Sequence, residues 1–172
     1  MLTSCLATFT DQTVSEGDTT ESDRLAERLR FREEQCRLWS TVKWDNKLAI
    51  DRHIELLQSF ERGDRDHSVP LEEFEMPWPI LPRPLSYSIA EIETEWVSNF
   101  YDDIRKREEY SHADIVSLIR RCIKVFHEDK LVSRLREVDG DEDKALVNEV
   151  AKLVYLELYD QLQRQRGEGS GN

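Results

Sequence analysis

An all-α fold is predicted by three features of this chain. Apolar residues recur at spacings of three and four over several long stretches, the pattern of one buried helix face. No stretch alternates apolar and polar residues long enough to build a sheet, and no internal repeat occurs. Four of the five prolines fall between positions 77 and 84, so the irregular backbone is concentrated in one place.

Residues 1–21 are rich in Thr, Ser, Asp and Glu without a sustained period and read as a flexible leader, and the closing GEGSGN, 167–172, reads as a flexible tail. Between them, 22–166 is expected to form a single helical domain. Neither Gly nor Pro interrupts the chain over 22–62, which predicts a long N-terminal helix or two nearly collinear ones. Its first half offers only Leu25, Leu29 and Cys36 among alternating charges. Leu38, Val42, Ala49, Leu56 and Phe60, flanked by Trp39, Ile50, Ile54 and Leu57, thicken the second half, and only that half is expected to dock on a core.

A polar connection over 63–70 leads into LEEFEMPWPILPRPLSYS. Proline removes amide donors and biases the residue before it toward extended geometry, so 70–87 is expected to be a proline-rich apolar strap. Phe74, Met76, Trp78, Ile80 and Leu81 are too apolar to leave in water. Trp78, between Pro77 and Pro79, is the expected structural anchor of the strap, which is expected to lie on the helix that ends near Phe60 and on the helix that contains Trp96. A proline-rich recognition motif is the alternative reading.

Ser88 and Glu91 form a capping-box pair, which predicts a helix over 88–106 with Ile89, Ile92, Trp96, Phe100 and Ile104 on its buried face, widened by Val97 and Tyr101. The next helix opens at Ser111 or His112 and presents Ile115, Leu118, Ile119, Cys122, Val125 and Phe126, with Arg120, Arg121 and Lys124 on its other face. The apolar rhythm then stops at His127, Glu128, Asp129 and Lys130, and resumes with shifted phase at Leu131, Val132, Leu135 and Val138. The last helix follows Gly140, with Asp141 to Asp143 placing negative charge at its start and Val147, Val150, Val154, Leu158 and Leu162 forming its stripe.

Composition narrows the function. A net charge of -12 in 172 residues argues against nucleic-acid binding, which relies on clustered Lys and Arg. No window approaches the ~18 apolar residues of a membrane span, and the start of the chain lacks the pattern of a signal peptide. Cys5, Cys36 and Cys122 are odd in number and widely spaced, so neither a disulfide framework nor a zinc knuckle is indicated, and a reducing compartment, cytoplasmic or nuclear, fits. His53, His67, His112 and His127 form no ligand pair at helical spacing, and DGDED at 139–143 lacks the glycine and glutamate of a calcium loop. Nothing gathers a nucleophile, a base and an oxyanion site. No catalytic residue, metal or cofactor is therefore expected, and the partner is expected to be another protein, met by a monomer.

The heptapeptide KVFHEDK, 124–130, admits two readings from its residues. It is the polar end of a helix, where His127 and Lys130 complement the negative dipole end, or it is the tip of a helical hairpin. The ordered block of 24–165 bears on the choice. It contains RLWSTVKWDNKLAIDRHIELLQSF, then FEMPWPIL, then SIAEIETEWVSNFY, then LIRRCIKVFHEDKL, then a helix rich in Val and Leu. In that order it resembles a J-like domain of fungal, especially basidiomycete, proteins of unknown function, distantly similar to the C-terminal region of NF-kappa-B inhibitor-like proteins.

The resemblance implies an antiparallel hairpin in which Ile115, Ile119, Cys122 and Phe126 face Val147, Val150, Val154 and Leu158, with 111–166 as its span. It also implies a partner-binding set of His127, Glu128, Asp129, Lys130, Arg120, Arg121 and Lys124. In J-domain cochaperones a His-Pro-Asp loop stimulates a DnaK-type heat-shock ATPase. Here His127 and Asp129 match that loop, whereas Glu128 stands in place of its proline, so the hairpin is degenerate. The expected function is a non-enzymatic protein-interaction module, and the alternative is a cochaperone acting through His127 and Asp129.

Overall fold

The computed structural model describes residues 21–63 and 70–168. The leader expected over 1–21 falls outside the described residues except for Glu21, as do 64–69 of the polar connection and 169–172 of the tail. The described residues contain six α-helices, two short 3-10 turns and no strand, and the fold is all-α. The helices are α1 (Glu21–Thr41), α2 (Asn46–Arg62), α3 (Thr94–Arg105), α4 (His112–Phe126), α5 (Glu128–Leu135) and α6 (Asp141–Glu168). The chain divides into two compact units, Met1–Leu38 and Trp39–Asn172, so residues 22–38 of the expected single domain fall in the first unit.

In the first unit, α1 carries Leu25 and Leu29 on its exposed surface, and none of its described side chains up to Leu38 is fully buried. Of the two forms expected for 22–62, one long helix or two, the chain takes two: α1 ends at Thr41 and α2 starts at Asn46. Asp45 adopts extended backbone, and its side chain accepts the amide of Leu48 at 2.9 Å, capping a new helix. Leu38 and Val42 are exposed, and α2 buries Ala49, Ile50, His53 and Leu57 instead of a stripe continued from α1.

The proline-rich segment that follows α2 contains no α-helix, only a 3-10 turn at Glu73–Glu75. Leu71, Phe74, Met76, Pro77, Trp78, Pro79 and Ile80 are buried. Buried backbone without a ladder needs other partners, and here side-chain donors, two from outside the segment and one within it, supply them. Arg52 donates to the Phe74 carbonyl at 2.8 Å, Trp44 Nε1 to that of Leu81 at 2.9 Å and Trp78 Nε1 to that of Glu73 at 2.7 Å. Farther on, Pro84 precedes Leu85, whose φ of 63° lies in the left-handed region, and the amide of Ser86 closes this turn on Arg83 at 3.1 Å.

The capping box at Ser88 and Glu91 forms, but it closes only a 3-10 turn at Ile89–Glu91. Ile92 then turns extended, and α3 begins at Thr94 rather than at residue 88. Both sides of that break are buried through Ile89, Ile92, Val97, Phe100, Tyr101 and Ile104. Burying each such side chain is worth roughly 1.5–3 kcal/mol, enough to fix the element without a continuous helix.

Ser111 caps α4 in a reciprocal box with Asp114, and Gly140, with φ of 80°, turns the chain into α6. Asp141, Glu142 and Asp143 fill the first turn of α6, next to its positive dipole end. The ring of His112, at the start of α4, lies 3.2 Å from the Gln165 carbonyl, while the ring of His127, just past its end, meets Tyr155. The two helices therefore run antiparallel. Ile115, Leu118, Ile119, Cys122 and Phe126 of α4 share one buried cluster with Val147, Val150, Ala151, Val154 and Leu158 of α6.

Candidate functional site

The apolar face of α4 runs out at Phe126, and the backbone breaks at the next residue. His127 has φ -63° and ψ 137°, an extended conformation that serves both as the end of α4 and as the N-cap of α5. Its Nδ1 accepts the amide of Asp129 at 3.3 Å, and its carbonyl takes the amides of Lys130 and Leu131 at 2.9 Å each. A ring nitrogen that accepts an amide carries no proton, so this cap uses the tautomer protonated at Nε2. The segment is neither an uninterrupted helix nor a long loop. One extended residue separates α4 from α5, and the break in apolar rhythm over 127–130 begins on it.

His127, Glu128, Asp129 and Lys130 are all exposed. Arg120 and Lys124, four residues apart on one face of α4, are exposed as well. Arg121 differs: it is partly buried and grips Glu61 with two parallel bonds, Nε to Oε1 at 2.9 Å and Nη2 to Oε2 at 2.7 Å. That grip holds the Glu61 carboxyl below its usual range and neutralises one of the three cations of the helix.

On the α6 side of the turn lies a groove lined by Phe126, His127, Leu131, Lys152, Tyr155 and Leu156. Leu156 is 65% exposed, Val132 49% and Tyr159 45%, so the neighbourhood of the turn holds large apolar side chains in water.

Pro77, Trp78 and Pro79 are not part of this surface, being buried beneath it. Trp78 stacks on Phe126, the last residue before the turn, while Leu81 and Pro82 are the part of the segment that lies against Trp96. Trp78 also lines a cleft with Ala49, Arg52 and His53 of α2, so the stacked ring of α4 is an addition to the two helices expected beneath the strap.

Two polar clusters are absent from the sequence-based expectations. The first is buried: His53 Nε2 lies 3.2 Å from Cys122 Sγ, and the Tyr101 hydroxyl donates to the same sulfur at 3.4 Å. A His beside a Cys is the pair a thiol nucleophile needs, but burial works against it here. It pushes the His53 pKa down to about 3 and the Cys122 thiol up to about 12, so both groups are neutral and the sulfur is not accessible. The second lies between α3 and α6. The Ser98 hydroxyl and the Gln161 amide both donate to Glu157 at 2.7 Å, and Arg105 donates to Gln161. Glu157, Gln161 and Gln165 repeat every four residues beside the Val/Leu stripe of α6, a spacing that could have marked them as a second buried face.

Among the described residues, no group of three or more His, Cys, Asp or Glu could hold a metal ion, and no helix is long and apolar enough to cross a membrane. No protein-family model, curated protein or solved structure matches this chain.

Proposed function

We propose that this protein is a non-enzymatic helical module that binds a protein partner through the α4–α5 turn, His127 to Lys130, together with Arg120, Arg121 and Lys124. The observation that carries this reading is the coincidence of an exposed polar turn with exposed Leu156, Val132 and Tyr159 on the helices that flank it. Large apolar groups in water beside fixed polar groups are what a protein interface uses. Burial and neutrality argue against thiol chemistry at the Cys122–His53 pair. The free thiols Cys36 and Cys122 and the charge of -12 suit a monomer working in the cytoplasm or nucleus.

In this proposal α4 and α6 form a degenerate J-like hairpin with the strap of 70–87 beneath its tip. Capture from native lysate tests the module reading. The wild-type chain retains a partner that the triple variant His127→Ala, Asp129→Ala, Lys130→Ala loses, whereas equal capture by both overturns the assignment.

A second reading, a cochaperone for a DnaK-type ATPase, is favoured by one observation. His127 and Asp129 are tied together by the cap, with Glu128 at a first helical position where proline fits. Steady-state ATP hydrolysis by a purified chaperone of this type separates the two readings. Stimulation by the wild type that His127→Gln abolishes establishes the cochaperone. Equal stimulation by both, or none by either, removes it.

A further inference from the structure

A groove of about 320 Å³ lies on the opposite side of the turn from α6, between the end of α2, the end of α4 and α5. Phe60 and Val125 supply its apolar surface, and Lys124, Lys130 and Arg134 surround it. Arg134 is fixed in place. Its guanidinium lies over the Phe60 ring at 5.0 Å, donates to the Phe60 carbonyl at 3.0 Å and to Glu137 at 3.2 Å. By taking that carbonyl it answers part of the negative end of the α2 dipole, which would otherwise weaken the field of the groove.

The local charge runs against that of the chain. Lys124, Lys130 and Arg134 are the three cations that line the groove, and Glu61, the one acid in its lining, is held by Arg121. The balance of the lining is 3 - 1 = +2 in a chain whose net charge is -12. Glu128 lines the α6-side groove instead. Opposite charge steers encounter and selects partners, and a groove with an apolar floor between two lysines fits a peptide carrying carboxylates on either side of an apolar side chain.

We propose that the α2–α4–α5 groove docks an acidic peptide segment of the partner protein. Its carboxylates meet Lys124 and Lys130, and an apolar side chain rests on Phe60 and Val125. This rests on the partner-binding reading given above and names the chemistry of the partner.

The test is direct binding by the full-length protein, read as fluorescence anisotropy of a short labelled Glu/Asp peptide with a central Phe. Binding is expected to weaken by about tenfold or more in K124E/K130E and in K124Q/K130Q, and to fall steeply as salt is raised. The same peptide with Gln and Asn in place of its acids is expected not to bind. Both lysines are exposed, and unchanged thermal melts of the variants establish that the fold is kept. Binding that is equal in the charge variants, or indifferent to salt, overturns the proposal. So does a mass at low salt equal to a dimer that K130E dissociates, because a second acidic copy is then the occupant. Retention of the lysate partner by a protein that fails to bind the peptide overturns this groove while leaving the partner-binding reading standing.

Discussion

Trp78 stacks on Phe126 with ring centroids 5.2 Å apart and planes inclined by 21°. The contact ties the middle of the proline-rich segment to the last turn of α4, directly behind His127. Trp78→Ala is therefore expected to cost about 3–5 kcal/mol, read by urea unfolding. Phe126→Ala is expected to cost a similar amount, and the double variant less than the sum, because each removes the other's partner. A loss below about 1 kcal/mol for Trp78→Ala contradicts this packing.

His53 makes stability depend on pH. Its pKa falls from 6.5 to about 3 on folding, first because burial penalises the imidazolium, with the backbone carbonyls of Trp78 and Pro77 opposing the shift in part. Between those values the unfolded chain binds a proton that the folded chain refuses. Stability due to His53 is thus fully present above 6.5 and declines as pH falls toward 3, by about 1.4 kcal/mol per unit within the window. His53→Leu, compared with the wild type by denaturant titration across that range, is expected to flatten this slope. Parallel slopes refute the assignment.

Glu128 occupies the first position of α5, where an α-helix makes no use of the amide, and His127 already has the extended backbone that a residue before proline requires. Glu128→Pro is expected to change stability by less than about 0.5 kcal/mol, whereas Val132→Pro, inside α5, is expected to cost about 3 kcal/mol or more. Thermal melts of the two variants check the single-residue break between α4 and α5.

The pairing of Arg121 with Glu61 joins α2 to α4 across the partly exposed edge of the basic groove. The carboxyl is depressed by its bond to the guanidinium, so the pair stabilises the fold above the usual carboxylate pKa, and the benefit is lost as pH falls through the depressed value. Solvent screening keeps the coupling small. A double-mutant cycle with Glu61→Gln and Arg121→Gln is expected to give about 0.5–1 kcal/mol near neutral pH and less in high salt.

Much of the helix pattern was legible because the buried faces are apolar at regular spacing. Ile115 to Phe126 and Val147 to Leu162 stand where the rhythm put them, and Ser111 caps α4 as its type suggests. Three features were not legible, each for a physical reason. α1 ends at Thr41 and Asp45 starts a new helix without Gly or Pro, because a short carboxylate at an extended residue caps a helix start. The box at Ser88 and Glu91 satisfies a 3-10 turn as readily as an α-helix, so it marked a helical start but not its kind. His53, Glu157 and Gln161 are buried by partners that lie far away in sequence, and polar type alone gives no sign of that. At the candidate site, the break at His127 was visible as a lost apolar position. The capture of Arg121 by Glu61, sixty residues away, was not.

The central claim is that the α4–α5 turn meets a protein partner. It is tested most directly by placing a photo-crosslinking amino acid at Glu128 in one protein and at Glu95, exposed on α3, in another, and irradiating each in native lysate. A discrete heavier adduct from position 128 that is absent from position 95 is the predicted result. Adducts of equal yield from both positions, from position 95 alone, or from neither would contradict the account.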